Sequence, residues 1–181
     1  MHRLPAHGGS PLTRSWFWSA AGLSLAADLV SKWAAWRWLA AAPEKDAVPL
    51  LGEWLVFTLH FNPGGVWGML PGRTVILLAV TAVLLPAIVL MAYSCRVERA
   101  PYWALGMLLG SAAGNLYDRL GYGAVRDFIQ VDLGIWPVNH WPIFNVADAG
   151  IVVGVVVFLV WNLFLAPPET AGGTDEAKGP P

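Results

Sequence analysis

Four aspartates lie within one stretch of the chain, Asp118, Asp127, Asp132 and Asp148, accompanied by Asn115, Arg119 and Asn145. Two carboxyl groups that share a proton can activate water, one acting as base while the other polarises the carbonyl under attack. That chemistry needs neither a metal nor a nucleophilic side chain, and no metal or cofactor is expected. Other hydrolytic chemistries lack their residues. There is no His-Glu-x-x-His for a zinc protease, no Gly-x-Ser-x-Gly elbow and no phosphate-binding loop. The single cysteine, Cys95, allows neither an intramolecular disulfide nor a Cys-rich metal site. His60 and His140 stand alone and read as core or interface residues, and Glu53 and Asp132 as solvated loop charges.

The elements that must position these groups belong to a membrane. The 181 residues are 56% hydrophobic and only 13% charged, with a mean hydropathy of +0.54, far from a soluble domain's quarter of charged residues. A net charge of -1 without a basic stripe argues against nucleic acid as a partner. Four apolar stretches approach the roughly 20 residues a bilayer requires. They run over about 16–39, 74–94, 102–117 and 145–165, and the predicted fold class is an all-α integral membrane protein of four transmembrane helices. Residues 1–15 read as a short irregular tail, and 166–181, rich in Pro, Gly and charge, as a disordered one. That leaves a single membrane domain over 1–165. Within the first long link, Leu55, Phe57, Leu59 and Phe61 alternate with Trp54, Val56, Thr58 and His60, which predicts a strand ending at the turn signal Asn62-Pro63-Gly64-Gly65.

Four spans put both termini on one side. Lys and Arg divide almost evenly between the two faces, so charge scarcely orients the chain. The polar residues are not divided evenly. Asp28 and Lys32 lie in the second half of the first helix, Asn62 in the first long loop, and Asn115, Asp118 and Arg119 at the exit of the third helix. Asp127 lies in the second long loop, and Asn145 and Asp148 open the fourth helix. All of these converge on one membrane face, where ionisable groups are costly and usually functional. Each also has a local explanation. Asp28 and Lys32 can form an i, i+4 ion pair. Asn115, Asp118 and Arg119 can end a helix in the headgroups. Asn145 is a good N-cap with Asp148 at the third helical position, so position alone favours capping for Asp148. Spacing leaves the reactive pair among Asp118, Asp127, Asp132 and Asp148 open.

The motifs resemble those of the lipoprotein signal peptidase (signal peptidase II) family. Gly114-Asn115-Leu116-Tyr117-Asp118-Arg119 resembles its Gly-Asn-x-x-Asp-Arg. Gly123-Ala124-Val125-Arg126-Asp127-Phe128-Ile129 resembles its Gly-x-Val-x-Asp-Phe-Ile, and Trp141-Pro142-Ile143-Phe144-Asn145-Val146-Ala147-Asp148 its Trp-Pro-x-Phe-Asn-x-Ala-Asp. Asn62-Pro63-Gly64-Gly65-Val66-Trp67-Gly68 is similar to its first-loop motif, and Asp28 with Lys32 to the Asp-x-x-x-Lys of its first helix. Trp67, Val66, Ser111 and Arg126 depart from the residues usual at their positions.

The resemblance, which spans about residues 16–165, implies an aspartic endopeptidase of the bacterial inner membrane with cytoplasmic termini and its site near the outer face. Such enzymes cut the signal peptide from prolipoproteins just before a diacylglyceryl-modified cysteine. The implied catalytic pair is Asp127 and Asp148. Asn62, Gly64, Asn115 and Arg119 are implied to hold the substrate, with Asp28, Lys32, Asp118, Asn145 and Ala147 in support. The first loop is implied to form a small extracytoplasmic β-sheet. Prolipoprotein and membrane lipid are the expected partners, and the chain is expected to be a monomer. Because Asp148 stands at a helix N-terminus, it should ionise more readily, leaving the shared proton on Asp127. The rival readings are a protease of the Gly-x-Gly-Asp type, disfavoured because Gly121-Tyr122-Gly123 is followed by Ala124, a small transporter, and a non-catalytic scaffold.

Overall fold

The computed structural model describes residues 11–41, 47–63, 74–94, 100–132, 134 and 141–165. Four helices form over the four apolar stretches: α1 Pro11–Ala40, α2 Thr74–Ser94, α3 Tyr102–Tyr122 and α4 Val146–Val160, the last running into a π-helical turn, Trp161–Leu165. Two boundaries differ from expectation. Helix α1 begins at Pro11 rather than near Trp16, since proline is well accommodated in a first helical turn. Helix α3 continues past Tyr117 to Tyr122, because Asp118 and Arg119 are helical residues at a polar end and do not terminate it. Gly123 closes it instead. Its φ of 73° suits glycine, and its N–H bonds the Arg119 carbonyl at 3.1 Å.

Helix α3 is the spine. One face carries Gly106, Gly110 and Gly114, which let α1 approach until a methyl at these positions would strike the Phe17 carbonyl, the Ala21 carbonyl and the Asp28 carboxylate in turn. On α4, Gly150 and Gly154 make the same accommodation for Ser111 and Leu108 of α3. Helix α2 packs through Ala92, Ile88 and Val89 onto the apolar cluster of Phe17, Tyr102, Leu105 and Leu108. The remaining faces of α2, α4 and the π-helical turn expose valines and leucines such as Val75, Val83, Leu90, Val152, Val156 and Leu163. Among the described residues, α2 and the helical stretch Val146–Leu165 are the two segments long and apolar enough to cross a membrane, with mean hydropathies of 2.9 and 2.2. Helices α1 and α3 have the length but interrupt their apolar surface with the polar residues that build the site.

The sheet is larger in origin than expected. Strand β1, Ala47–Leu51, and strand β2, Leu55–Asn62, form the hairpin of the first long loop, and β2 includes the expected alternating segment from Leu55 onward, with Trp54 in the turn before it. A third strand, β3 Val125–Val131, comes from the second long loop and pairs antiparallel with β2. The sheet therefore is not confined to the first loop. A bulge interrupts the β2–β3 ladder, in which Phe57 opposes Ile129 and His60 opposes Asp127, so that Thr58 and Leu59 together face one residue. Phe144 bridges to Ile129 with hydrogen bonds of 2.9 and 3.0 Å, which delivers Asn145 and the start of α4 to the side of β3.

Candidate active site

Four elements, β2, α3, β3 and α4, bring five polar side chains into contact: Asn62, Asn115, Asp127, Asn145 and Asp148. Asn145 caps α4, and a capping box forms: the Asp148 N–H donates to Asn145 Oδ1 at 3.0 Å, and the Asn145 N–H to Asp148 Oδ2 at 3.2 Å. The capping reading of Asp148 is therefore correct, yet it accounts for one oxygen. Asp148 Oδ1 instead accepts from Asn115 Nδ2 of α3 at 2.9 Å. On β3, Asp127 is fully buried and receives Asn145 Nδ2 at 2.6 Å on one oxygen and Asn62 Nδ2 from β2 at 2.9 Å on the other. Asn145 Nδ2 also donates to Asn115 Oδ1 at 3.2 Å. The two carboxyl groups are thus joined through the amides of Asn145 and Asn115.

A buried cation orients that relay. Lys32 of α1 is fully buried and donates to Asn115 Oδ1 at 3.0 Å, to Asp28 Oδ2 at 2.7 Å and, as an ion pair, to Asp118 Oδ2 at 3.2 Å. An ammonium can only donate, so it must face the oxygen of Asn115, which turns the amide nitrogen towards Asp148. Asp28 and Lys32 do form their i, i+4 pair, and they also reach across to α3 and α4. Asp28 Oδ1 accepts the Ala147 N–H at 3.0 Å, and Gly114 has no side chain to obstruct the Asp28 carboxylate.

Asp118 is equally committed. Its Oδ1 takes Arg126 Nη2 at 2.7 Å and Nε at 3.1 Å, and its Oδ2 takes the Arg126 backbone N–H at 3.0 Å. With Lys32 as well, every lone-pair direction is occupied, so Asp118 is an anchor and has no capacity left to activate water. Asp132, expected to be a solvated charge, is half-buried and closes a turn by accepting the Gly134 N–H at 2.9 Å. It is not one of the joined carboxyls.

Arg119 differs from its neighbours. It is half-buried, and one guanidinium nitrogen reaches the Asn115 carbonyl at a long 3.4 Å. Its Nε is buried without a hydrogen-bond partner among the described residues, a costly state for a donor. Gly64, expected with the substrate-holding residues, lies outside the described residues, as do Val66 and Trp67.

The electrostatics are set by burial. Four carboxyls (Asp28, Asp118, Asp127 and Asp148) meet three cations (Lys32, Arg119 and Arg126), so one proton neutralises the cluster. Burial, and then the charge of Asp148, push Asp127 up to about 7, against the opposing pull of the Asn62 and Asn145 amides and of Lys32. The arrangement can hold one proton between two carboxyl groups near neutrality.

Two features escaped sequence reasoning. Strand β3 was readable, since Val125, Asp127, Ile129 and Val131 alternate with Arg126, Phe128 and Gln130, but the surrounding Gly and Pro obscured it. The Arg126–Asp118 contact had no sequence signal, because its partners are on different elements.

Comparison with known proteins gives a consistent result. The profile of the Signal peptidase (SPase) II family matches residues 20–164. The "Lipoprotein signal peptidase" of Geobacillus kaustophilus (strain HTA426) is 33% identical over 156 residues, covering 86% of this chain and 97% of the relative. That of Moorella thermoacetica (strain ATCC 39073 / JCM 9320) is 40% identical over 126 residues, covering 68% and 78%. A solved bacterial membrane enzyme structure superimposes with a TM-score of 0.71 at 26% identity, covering 88% of this chain and 93% of the other.

Proposed function

The chain belongs to the signal peptidase II family of membrane proteases, and from that premise we propose that it removes signal peptides from prolipoproteins by aspartic catalysis, with Asp127 and Asp148 as the reacting pair. The observation that carries this reading is the joining of these two carboxyls through Asn115 and Asn145, with Asp127 raised to about 7. The bond cut is the one before a diacylglyceryl-modified cysteine.

Asp127 carries the shared proton and Asp148 is the base. Asp148 takes a proton from water, whose oxygen attacks the scissile carbonyl. Asp127 gives its proton to the carbonyl oxygen, so the carbon becomes a neutral tetrahedral diol. Collapse returns a proton from one diol hydroxyl to Asp127, while Asp148 passes its proton to the departing amine of the cysteine. Both aspartates regain their starting states. The Arg119 Nε without a partner supports a role in holding a substrate carbonyl, for which a guanidinium fork is suited. Asn62 and Gly64 are assigned to the same substrate strand.

All four helices cross the membrane in this reading, with both termini cytoplasmic and the sheet at the outer face of the bacterial inner membrane. Residues 1–165 then make one membrane domain, acting as a monomer. The acyl chains of the substrate lie against the apolar helices while the scissile bond reaches the polar face. A gel-shift assay of diacylglyceryl-modified prolipoprotein with wild type, Asp127→Asn and Asp148→Asn tests the proposal. Cleavage by wild type alone is expected. Normal cleavage by either folded variant removes that residue from the pair, and an intact lipidated substrate with folded wild type removes the activity.

A further inference from the structure

Arg126 is a buried cation for which the reaction above has no use. It sits on β3 immediately before Asp127, is 7% exposed, and spends both its side chain and its backbone on one partner. Nε and Nη2 fork onto Asp118 Oδ1 at 3.1 and 2.7 Å, while its N–H binds Oδ2 at 3.0 Å. The guanidinium carbon lies 4.5 Å from the Tyr122 ring centroid, which covers it with the last residue of α3.

We propose that Arg126 is a positioning residue for the cleavage, clamping β3 onto Asp118 so that the next residue, Asp127, is held at reacting distance from Asp148. The inference rests on the reading of Asp127 and Asp148 as the catalytic pair.

The strand needs such a clamp at this place. On its other edge β3 is held by β2, but the ladder bulges between Phe57 and His60, directly beside Asp127. Beyond the bulge, Phe144 fixes Phe128 and Ile129 through backbone bonds of 3.1 and 2.9 Å. Those bonds tie β3 only on the C-terminal side of Asp127; on the N-terminal side β2 pairs Phe61 with Arg126 and Asn62 with Val125 along one edge, and the clamp ties Arg126 to α3. Asp118 is a firm anchor because Lys32 and the body of α3 hold it from behind. A guanidinium with two nitrogens on one carboxylate oxygen, and its own backbone N–H on the other, is fixed in orientation, whereas a Lys at the same place would make a single point contact.

The charge of Arg126 acts as well as its shape. The ionisable groups around β3 are Asp118, Arg119, Tyr117 and Tyr122 from α3, Asp28 and Lys32 from α1, His60 opposite Asp127 on β2, and Asp148 from α4. Removing one of three cations leaves Asp118 compensated by Lys32 alone. The extra negative potential favours the protonated form of Asp127 and moves its titration upward.

The experiment is steady-state cleavage of diacylglyceryl-modified prolipoprotein by the full chain in detergent, across the neutral pH range. The proteins are wild type, Arg126→Gln, Arg126→Lys and Asp127→Asn, with folding checked by thermal melting. For Arg126→Gln, kcat should fall by about tenfold to a hundredfold with little change in KM, as a displaced catalytic group requires. Its alkaline limb should move up by about half a pH unit or more. Arg126→Lys should lose about tenfold in kcat with the limb unmoved, since it keeps the charge and loses the fork. If Asp127→Asn is inactive while Arg126→Gln keeps the wild-type kcat and limb, the clamp is overturned and the catalytic pair stands. If Asp127→Asn cleaves, the pair itself has failed and the clamp fails with it. Should Arg126→Gln not fold, Arg126→Lys decides, and an unchanged kcat there overturns the clamp.

Discussion

Asp28 and Asp118 stand on different helices, yet each accepts the backbone N–H of the residue just before a site aspartate: Ala147 before Asp148, and Arg126 before Asp127. Both carboxylates bind the same ammonium, Lys32. One cation therefore holds together the two backbone segments that carry Asp127 and Asp148. Buried charges are tolerable only when paired in this way.

Lys32→Met follows as a first test. It leaves Asp28 and Asp118 buried without their common partner, which should cost about 3–5 kcal/mol of stability. Thermal melting in detergent would show it. A melting temperature at the wild-type value would mean that the ion cluster is not what joins α1, α3 and α4.

The pH dependence of cleavage follows from Asp127 being raised to about 7. In the proposed mechanism the proton it carries goes to the carbonyl, so activity should fall as pH rises through about 7. A pH–rate profile checks this. A rate that keeps rising well above neutrality would place the shared proton elsewhere.

Stability should show the same group with a definite sign. Asp127 in the folded chain holds its proton up to about 7, whereas its ordinary value is 3.8. Between those values the folded state binds more protons than the unfolded one, so its contribution to stability falls as pH rises. Asp127→Asn removes that slope. The variant should match wild-type stability in acid and exceed it above neutrality, by on the order of a few kcal/mol, and so melt higher there. Parallel melting curves at all pH values would contradict the raised proton affinity.

Asn145 does two things that substitution can separate. Ser retains an N-cap oxygen for α4 but has no amide to offer Asp127 and Asn115. Asn145→Ser should keep more stability than Asn145→Ala, which loses about 0.5–2 kcal/mol from the cap alone. Both should be nearly inactive in the cleavage assay. If Asn145→Ser cleaves at the wild-type rate, the amide link between the carboxyls is not used.

The same substitution at two places on α3 should have opposite signs. At Gly110 a methyl would meet the Ala21 carbonyl and Ser24 Oγ of α1, whereas at Gly121 it meets nothing. Gly110→Ala should destabilise by about 1–3 kcal/mol. Gly121→Ala should stabilise by up to about 1 kcal/mol, from helix propensity alone. Equal melting temperatures for the two variants would refute the close α1–α3 contact.

The sequence by itself determined α2 and α4, because a long run of apolar residues has few other stable forms, and it located α1 and α3 by apolar stretches that polar residues interrupt. It also determined the hairpin strand through the alternation at 54–61, and the Asn145 cap through residue type and spacing. Family motifs, not spacing, singled out Asp127 and Asp148 from four aspartates. Tertiary structure decided the rest. Asp118 and Asp127 are nine residues apart and equally plausible as acids, and only the packing of β3 against α3 makes Asp118 the anchor of Arg126 while Asp127 meets Asn145. The bulge that puts His60 opposite Asp127, and the sharing of Lys32 between Asp28 and Asp118, likewise arise from contacts between elements far apart in the chain. Local propensity reports on a residue and its near neighbours. Which carboxylate is neutralised by a cation and which is left with a proton is decided by groups brought together through folding.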